Sequence, residues 1–361
     1  MSSIDHAKEL LGEIFIMGFN GTELSDDTAA FLSQARIGGV ILFGPNFEDP
    51  KQVATLINQV QDCRAGDLPL WVSVDHEGGK VQRFRTGFTR LPEASEIGRS
   101  DSPKLLFELS EMIAAELKAV GVSVNFAPVA DIHSNPGNPV IGNRAFSSSE
   151  EVVSKMVSAY VRGHLTGGVQ PCVKHFPGHG DTHVDSHFAL PKVIGQIEAL
   201  RDREFRPFTK AFKSGCRWLM TAHVLNPNLD AVYPATLSKR ILKDILREEM
   251  RYTGIIVSDD MEMKAITAHY GAEEAPRLAI DAGCDLLIYR TEAATRHAYT
   301  SLMKALEEGR LNPDRVIDAA EISMEMKRET LFPYFPVDET RVSEKVGLPA
   351  TASWLKENFS A

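Results

Sequence analysis

The hydrophobic positions of the chain fall into short continuous runs separated by longer stretches of mixed character. The runs are rich in Val, Ile and Leu and cover residues 14–19, 38–44, 70–74, 121–129, 169–173, 218–222, 254–257 and 284–289. A run of this length without polar alternation predicts a strand that is buried on both faces, as in a parallel sheet. The chain is therefore predicted to contain about eight such strands.

The stretches between the runs carry apolar residues at helical spacing. In the clearest case Asp49 is a predicted N-cap, Pro50 takes the first turn, and apolar side chains recur from Val53 to Val60. About eight alternating strand and helix units predict a single-domain (β/α)8 barrel of the TIM type. An open doubly wound sheet is the structural alternative, but no glycine-rich dinucleotide loop follows the first run.

The sequence predicts one domain boundary, which lies near the C-terminus. No repeat, low-complexity run or Pro/Gly/Ser-rich linker interrupts residues 5–330, which we expect to form the barrel. Residues 331–361 carry proline and aromatic side chains and are predicted to be a C-terminal extension that packs on the barrel.

Composition narrows the class of ligand. The 361 residues carry a net charge of −10, which argues against a nucleic acid or an anionic membrane as partner. No apolar run approaches the roughly 20 residues of a membrane span, and the first residues do not read as an export signal. The four cysteines lack CxxC spacing. We expect a cytoplasmic monomer that acts on a small, neutral or locally anionic molecule.

The richest stretch is residues 169–187, VQPCVKHFPGHGDTHVDSH. Its histidines recur at every fourth position from His175 to His187, which on a helix would align them as metal ligands. Pro177 and neighbouring glycines interrupt the segment, and a helix interior disfavours Pro by about 3 kcal/mol and Gly by about 1 kcal/mol. A metal-dependent barrel hydrolase is therefore the weaker reading, and we expect neither metal nor cofactor.

Polar side chains follow several predicted strands. They are Asp75, Arg144, Lys174, His175, His223, Asp259 and Asp260. Since the carboxyl ends of the strands meet at one rim of a (β/α)8 barrel, these groups are predicted to form a site.

Two features of this rim suggest acid–base and nucleophilic chemistry. Asp185 and His187 are two residues apart, so the carboxylate could orient the imidazole for proton transfer, although a lone Asp-x-His is more often a pair of solvated loop residues. Asp259 ends the run GIIVSDD, where it could attack an electrophilic carbon or cap the next helix. Asp260 is the better placed of the two for capping.

Five motifs together carry a resemblance to a known family. They are DHEGGKVQRF, IGNRAF, KHFPGHGDTHVDSH, PATLS and IIVSDDMEM. In these motifs the chain closely resembles glycoside hydrolase family 3, and specifically its single-domain bacterial β-N-acetylhexosaminidases. It departs from the common pattern at His76 and Lys80, where Gln and Arg are frequent, and at Met261-Glu262, where Leu-Ser is frequent.

The resemblance implies roles for individual residues. Asp259 would be the nucleophile, His187 the acid/base, and Asp185 the partner of His187. The sugar would be bound by Asp75, Arg83, Arg144, Lys174 and His175.

The resemblance also implies an activity. The protein would be a retaining exo-β-N-acetylglucosaminidase that releases non-reducing terminal N-acetylglucosamine from peptidoglycan fragments through a glycosyl-aspartate intermediate. A phosphorylase that uses phosphate in place of water is the close alternative, because a neutral base repels an anion less than a carboxylate does. A barrel that binds glycans without turnover is the third possibility.

Overall fold

A closed barrel of parallel strands organises the fold, and the computed structural model describes it over residues 2–182 and 190–359. The strands are β1 (Phe15–Gly18), β2 (Gly39–Leu42), β3 (Trp71–Val74), β4 (His76–Gly78), β5 (Val81–Gln82), β6 (Val124–Asn125), β7 (Gln170–Phe176), β8 (Trp218–Thr221), β9 (Ile255–Asp260) and β10 (Leu286–Tyr289). Strands β4 and β5 form a separate antiparallel hairpin directly after β3. The other eight close the barrel, with β1 pairing both β2 and β10.

Helices surround the barrel. They are α1 (Ser3–Leu10), α2 (Asp26–Gln34), α3 (Pro50–Asp62), α4 (Ala94–Arg99), α5 (Pro103–Ala119), α6 (Glu150–Gly167), α7 (Ile197–Asp202), α8 (Phe205–Lys213), α9 (Lys264–Tyr270), α10 (Ala275–Ala282), α11 (Glu292–Glu307), α12 (Pro313–Thr330) and α13 (Pro349–Phe359). A π-helix, Arg240–Glu249, lies between β8 and β9, and a 3₁₀ helix, Glu339–Glu344, precedes α13. In the described ranges, no helix is long and apolar enough to cross a membrane.

The predicted fold class, a (β/α)8 barrel, is confirmed. Nearly every residue of the barrel strands is buried, as continuously apolar runs require. The predicted cap of α3 is confirmed as well, since Asp49 accepts hydrogen bonds from the backbone N–H groups of Lys51 and Gln52, and Pro50 occupies the first turn.

Two predicted elements differ in extent. Within the run 121–129, only Val124 and Asn125 form strand β6, and Val129 makes one further bridge, to Lys174, after Pro128, which has no N–H for the ladder. The helix predicted around residues 200–212 is two helices, α7 and α8, since Arg203 leaves the helical backbone conformation between them.

Two tryptophans fill the barrel interior below the rim. Trp71 and Trp218 meet edge to face with ring centroids 4.9 Å apart. The indole N–H of Trp71 donates to Ser323 of α12 (2.9 Å), which in turn donates to Glu13 (2.6 Å). The barrel interior is thereby packed at its lower end, below the carboxyl ends of the strands.

The segment after α12 lies against α3 and α5. The Asn58 side chain exchanges hydrogen bonds with the backbone of Val337, and Thr55 donates to Glu339 (2.7 Å). Val342 and Val346 are buried in the main core. The domain boundary at residue 330 remains a prediction.

Candidate active site

A cavity of about 730 Å³ opens at the carboxyl ends of the barrel strands. Six of the eight predicted site residues line it, namely Asp75, Arg83, Arg144, Lys174, His175 and Asp259. The other two, Asp185 and His187, lie outside the described residues. Residues that are far apart in the chain thus meet at one rim, as the barrel prediction required.

Two irregularities in strand pairing shape this rim. Along the β7–β8 ladder, Val173 pairs with Leu219 but Phe176 pairs with Thr221, so β7 carries an extra residue. Strand β9 likewise carries an extra residue against β10 between Val257 and Asp260. Side chains of a regular strand alternate between faces, and a β-bulge breaks that alternation. The bulges therefore allow two consecutive pairs of residues, 174–175 and 259–260, to line the cavity together.

Asp259 is half-buried, and its carboxylate lines the cavity. Its Oδ1 accepts a hydrogen bond from the backbone N–H of Asp260 (2.7 Å). Burial alone would raise the pKa of the Asp259 carboxyl. The imidazoles of His223 and His175, together with that hydrogen bond, outweigh burial and hold this pKa below its usual value. Asp259 is therefore an anion at neutral pH.

A buried ion cluster lies beside Asp259. The ammonium of Lys174 is 2.8 Å from Asp75 and 2.6 Å from Glu77, and the guanidinium of Arg144 makes a two-point contact with Glu77 (2.7 and 2.8 Å). Burial alone would raise the pKa of the Glu77 carboxyl, but Arg144 and Lys174 hold it far below its usual value. Burial alone would lower the pKa of Lys174, whereas Asp75 and Glu77 raise it. Glu77, Lys174 and Arg144 are therefore charged, and the contacts among the four side chains fix them in place.

Glu77 was not predicted from the sequence, although one signal could have found it. Glu77 stands two residues after Asp75 in DHEGG, a spacing that places both side chains on the same side of an extended segment. Two carboxylates there require cations, and Lys174 and Arg144 supply them.

A second missed residue, Asp131, orients His175. The Nδ1 atom of His175 is 2.7 Å from Asp131 Oδ2, and Asp131 also accepts from the backbone N–H of His179 (2.6 Å). Burial alone would raise the pKa of Asp131, but His175 and His179 hold it below its usual value. Asp131 accepts from the Nδ1–H group of His175 and so fixes the orientation of the ring, whose Nε2 lies 3.5 Å from the guanidinium of Arg144.

His223 was predicted to belong to the site at the rim, but its side chain lies behind the cavity wall. It is fully buried and does not line the cavity. Its Nε2 lies 3.0 Å from the backbone carbonyl of Asp260, and its Nδ1 lies 2.7 Å from the hydroxyl of Thr236 in the PATLS motif. Burial lowers the pKa of His223, so the ring is neutral and donates from Nε2. It supports the end of β9, which carries Asp259.

The predicted capping role of Asp260 is wrong. Helix α9 has Met263 at its N-cap position, and no side chain caps it there. The Asp260 carboxylate instead accepts from the backbone N–H of Glu262 (3.0 Å), in the turn before α9, and pairs with Arg290 (2.6 Å).

The described residues contain no group of three or more His, Cys, Asp or Glu side chains that could hold a metal ion. What the site offers is an ionised carboxylate beside fixed cations and acceptors. Such a site can bind a hydroxyl-rich molecule and attack it at an electrophilic carbon. The fold and site thus define a barrel enzyme that acts on a small polar substrate.

Comparison with known proteins gives the family. Residues 7–323 match the glycosyl hydrolase family 3 N-terminal domain, and the chain belongs to this family. It is therefore a glycoside hydrolase, as the sequence motifs predicted.

Individual relatives agree with this assignment. The chain is 39% identical over 298 residues to a beta-hexosaminidase of Methylococcus capsulatus, covering 81% of this chain and 86% of the relative. It superposes on a family 3 beta-N-acetylglucosaminidase from a Paenibacillus species with a TM-score of 0.89 at 35% identity, over 97% of this chain and 68% of that one. NagZ from Neisseria gonorrhoeae, solved with N-trifluoroacetyl-D-glucosamine, gives 0.78 at 30% identity, over 97% and 98% of the two chains.

Proposed function

We propose that this protein is a retaining exo-β-N-acetylglucosaminidase that removes terminal N-acetylglucosamine from peptidoglycan fragments. The names of its relatives support the sugar, since they include beta-hexosaminidases and beta-N-acetylglucosaminidases. The observation that carries the proposal is the ionised carboxylate of Asp259 in the cavity, beside Lys174 and His175. A glycosidase of this type needs such an anion next to the anomeric carbon.

The ion cluster would bind the sugar. Asp75 is only partly buried and has one oxygen 3.5 Å from Arg83, so it can accept from a sugar hydroxyl. Lys174 and Arg144 are donors held rigidly by Glu77. Since these groups are already oriented before substrate arrives, little ordering entropy is lost on binding.

Catalysis would proceed in two steps at C1. Asp259 attacks the anomeric carbon through an oxocarbenium-like transition state while His187, oriented by Asp185, protonates the leaving oxygen. Neutral His187 then removes a proton from water, which displaces Asp259 and returns the sugar with its original configuration. The position of His187 and Asp185 in this scheme rests on the sequence motif alone.

Aryl β-glycosides test the proposal. We expect cleavage of the N-acetylglucosaminide in preference to the glucoside, undiminished by a chelator, with the β-anomer of the sugar as first product by NMR. Asp259→Asn should lower kcat by about 10³-fold or more, because it removes the nucleophile. The α-anomer as first product, or full activity of Asp259→Asn, would contradict the mechanism.

The same assay decides between water and phosphate as acceptor. In phosphate buffer, free N-acetylglucosamine supports hydrolysis, whereas sugar 1-phosphate would assign the protein as a phosphorylase. If no glycoside is cleaved under any condition, the remaining interpretation is a barrel that binds glycans without turnover.

A further inference from the structure

The loop between β5 and α4, residues 83–91, delivers Arg83 to the cavity. The Nη2 atom of Arg83 approaches Asp75 at 3.5 Å, a longer contact than the others in the ion cluster. Its Nε is buried and makes no hydrogen bond to any described residue. The guanidinium also lies over the ring of Phe43, 5.9 Å from its centroid, at the outer limit of a cation–π contact. With only these two long contacts between its tip and the described residues, the side chain depends for its position on how its loop is held.

The outer side of this loop is held by one buried carboxylate. Glu116 of α5 accepts from the backbone N–H of Thr89 (3.1 Å), from the Thr89 hydroxyl (2.5 Å) and from the backbone N–H of Gly347 (3.1 Å). Glu116 is only 5% exposed. The same group thus joins the Arg83 loop to the C-terminal segment, in which Gly347 lies 231 residues after Glu116.

Gly347 also packs directly against the loop. A Cβ atom built on Gly347 would lie 2.0 Å from the carbonyl oxygen of Gly87, far inside van der Waals contact. Its φ of +64° is in the left-handed region that favours glycine. Val342 and Val346 anchor the segment in the core, so the backbone at residue 347 cannot simply move away.

A chain of contacts connects Thr89 to Arg83. The Gln82 side chain donates to the carbonyls of Thr89 (2.8 Å) and Phe84 (3.0 Å). Gln82 and Phe84 flank Arg83 in the sequence. A displacement at Thr89 is therefore transmitted to both neighbours of Arg83.

We propose that the C-terminal segment takes part in substrate binding by fixing the 83–91 loop, with Gly347 and Glu116 as positioning residues for Arg83. This inference rests on the proposed sugar-binding role of Arg83. The C-terminal extension would thus act on substrate binding indirectly, through the loop that carries Arg83.

Two glycine substitutions test it. Gly347→Ala introduces a left-handed alanine and a clash with the loop. Gly309→Ala is the matched control, because Gly309 has a similar φ of +69° but nothing within 4 Å of a built Cβ. With the aryl N-acetylglucosaminide, Gly347→Ala should raise KM by about tenfold while kcat changes much less, the signature of lost uniform binding. Gly309→Ala should keep the wild-type KM, and equal KM values for the two variants would overturn the inference.

A double-mutant cycle tests whether the effect passes through Arg83. In an Arg83→Gln background, Gly347→Ala should raise KM no further. If the two substitutions instead multiply each other's effect on KM, Gly347 acts independently of Arg83 and the proposal is refuted. If Gly347→Ala fails to fold, Thr89→Val, which loses the hydroxyl donor, should raise KM and Thr89→Ser should restore it. No difference between those two would also overturn the inference. Absence of cleavage by the wild-type enzyme overturns the proposed function and this inference together, while cleavage with an unchanged KM overturns the inference alone.

Discussion

A buried histidine pair beneath the rim should make the stability of this barrel sensitive to mild acid. His76 and His164 are both essentially inaccessible, and burial lowers the pKa of each to about 3. The Nε2 of His164 accepts from the side-chain amide of Asn125 (3.0 Å), and its ring stacks on Tyr160 at 4.2 Å. Protonation of Nε2 would direct a donor at another donor, which adds to the cost of burying the charge.

The direction and size of the effect follow from proton linkage. The folded pKa lies below the unfolded value of 6.5, so only the unfolded chain takes up a proton as the pH falls through 6.5. Stability from each histidine is full above pH 6.5 and is lost progressively down to the folded pKa. Between pH 7.5 and 5.5 this loss is about 1.4 kcal/mol for each histidine.

Urea unfolding of the wild type and of His164→Gln at both pH values measures the loss. The variant retains an acceptor for Asn125, and any packing cost is the same at both pH values, so it cancels. We expect the variant to lose about 1.4 kcal/mol less than the wild type between pH 7.5 and 5.5. Between pH 8.5 and 7.5 the two proteins should behave alike. Equal losses between pH 7.5 and 5.5 would show that His164 can be protonated in the folded state and would refute the reasoning.

Four substitutions test the remaining electrostatic contacts. Glu77→Gln leaves Lys174 and Arg144 short of a buried counter-charge and should lower the free energy of unfolding by about 3–5 kcal/mol in denaturant titrations. Glu249→Gln is its control, since the pair with Arg201 is substantially exposed, and its Tm should match the wild type within error. Lys327→Met breaks the buried contact with Glu13 at the base of the barrel and should cost about 3 kcal/mol, part of which Glu13→Gln in the same chain should restore. A wild-type Tm for Lys327→Met would contradict this.

The amino-acid sequence predicted those features of the fold that depend on residues close together in the chain. Continuous apolar runs predicted the eight barrel strands, because each strand is covered on both faces and needs no polar side. Asp49 and Pro50 predicted the start of α3, since a cap and a first turn are made by adjacent residues. Asp75, Lys174 and Asp259 each follow an apolar run, which predicted that they lie at one rim of the barrel.

Tertiary structure alone decided which groups bind one another. His175 meets Asp131 across 44 residues and Arg144 meets Glu77 across 67, and no local pattern specifies either pair. The extra residues in β7 and β9 appear only when strands are paired, yet they bring Lys174 with His175, and Asp259 with Asp260, to the cavity. The sequence by itself determined the barrel and the carboxylates and cations of its rim, because strand burial and motif spacing are local. The partners that set their charge and orientation were decided by packing, because those partners come from elements that meet only in the folded barrel.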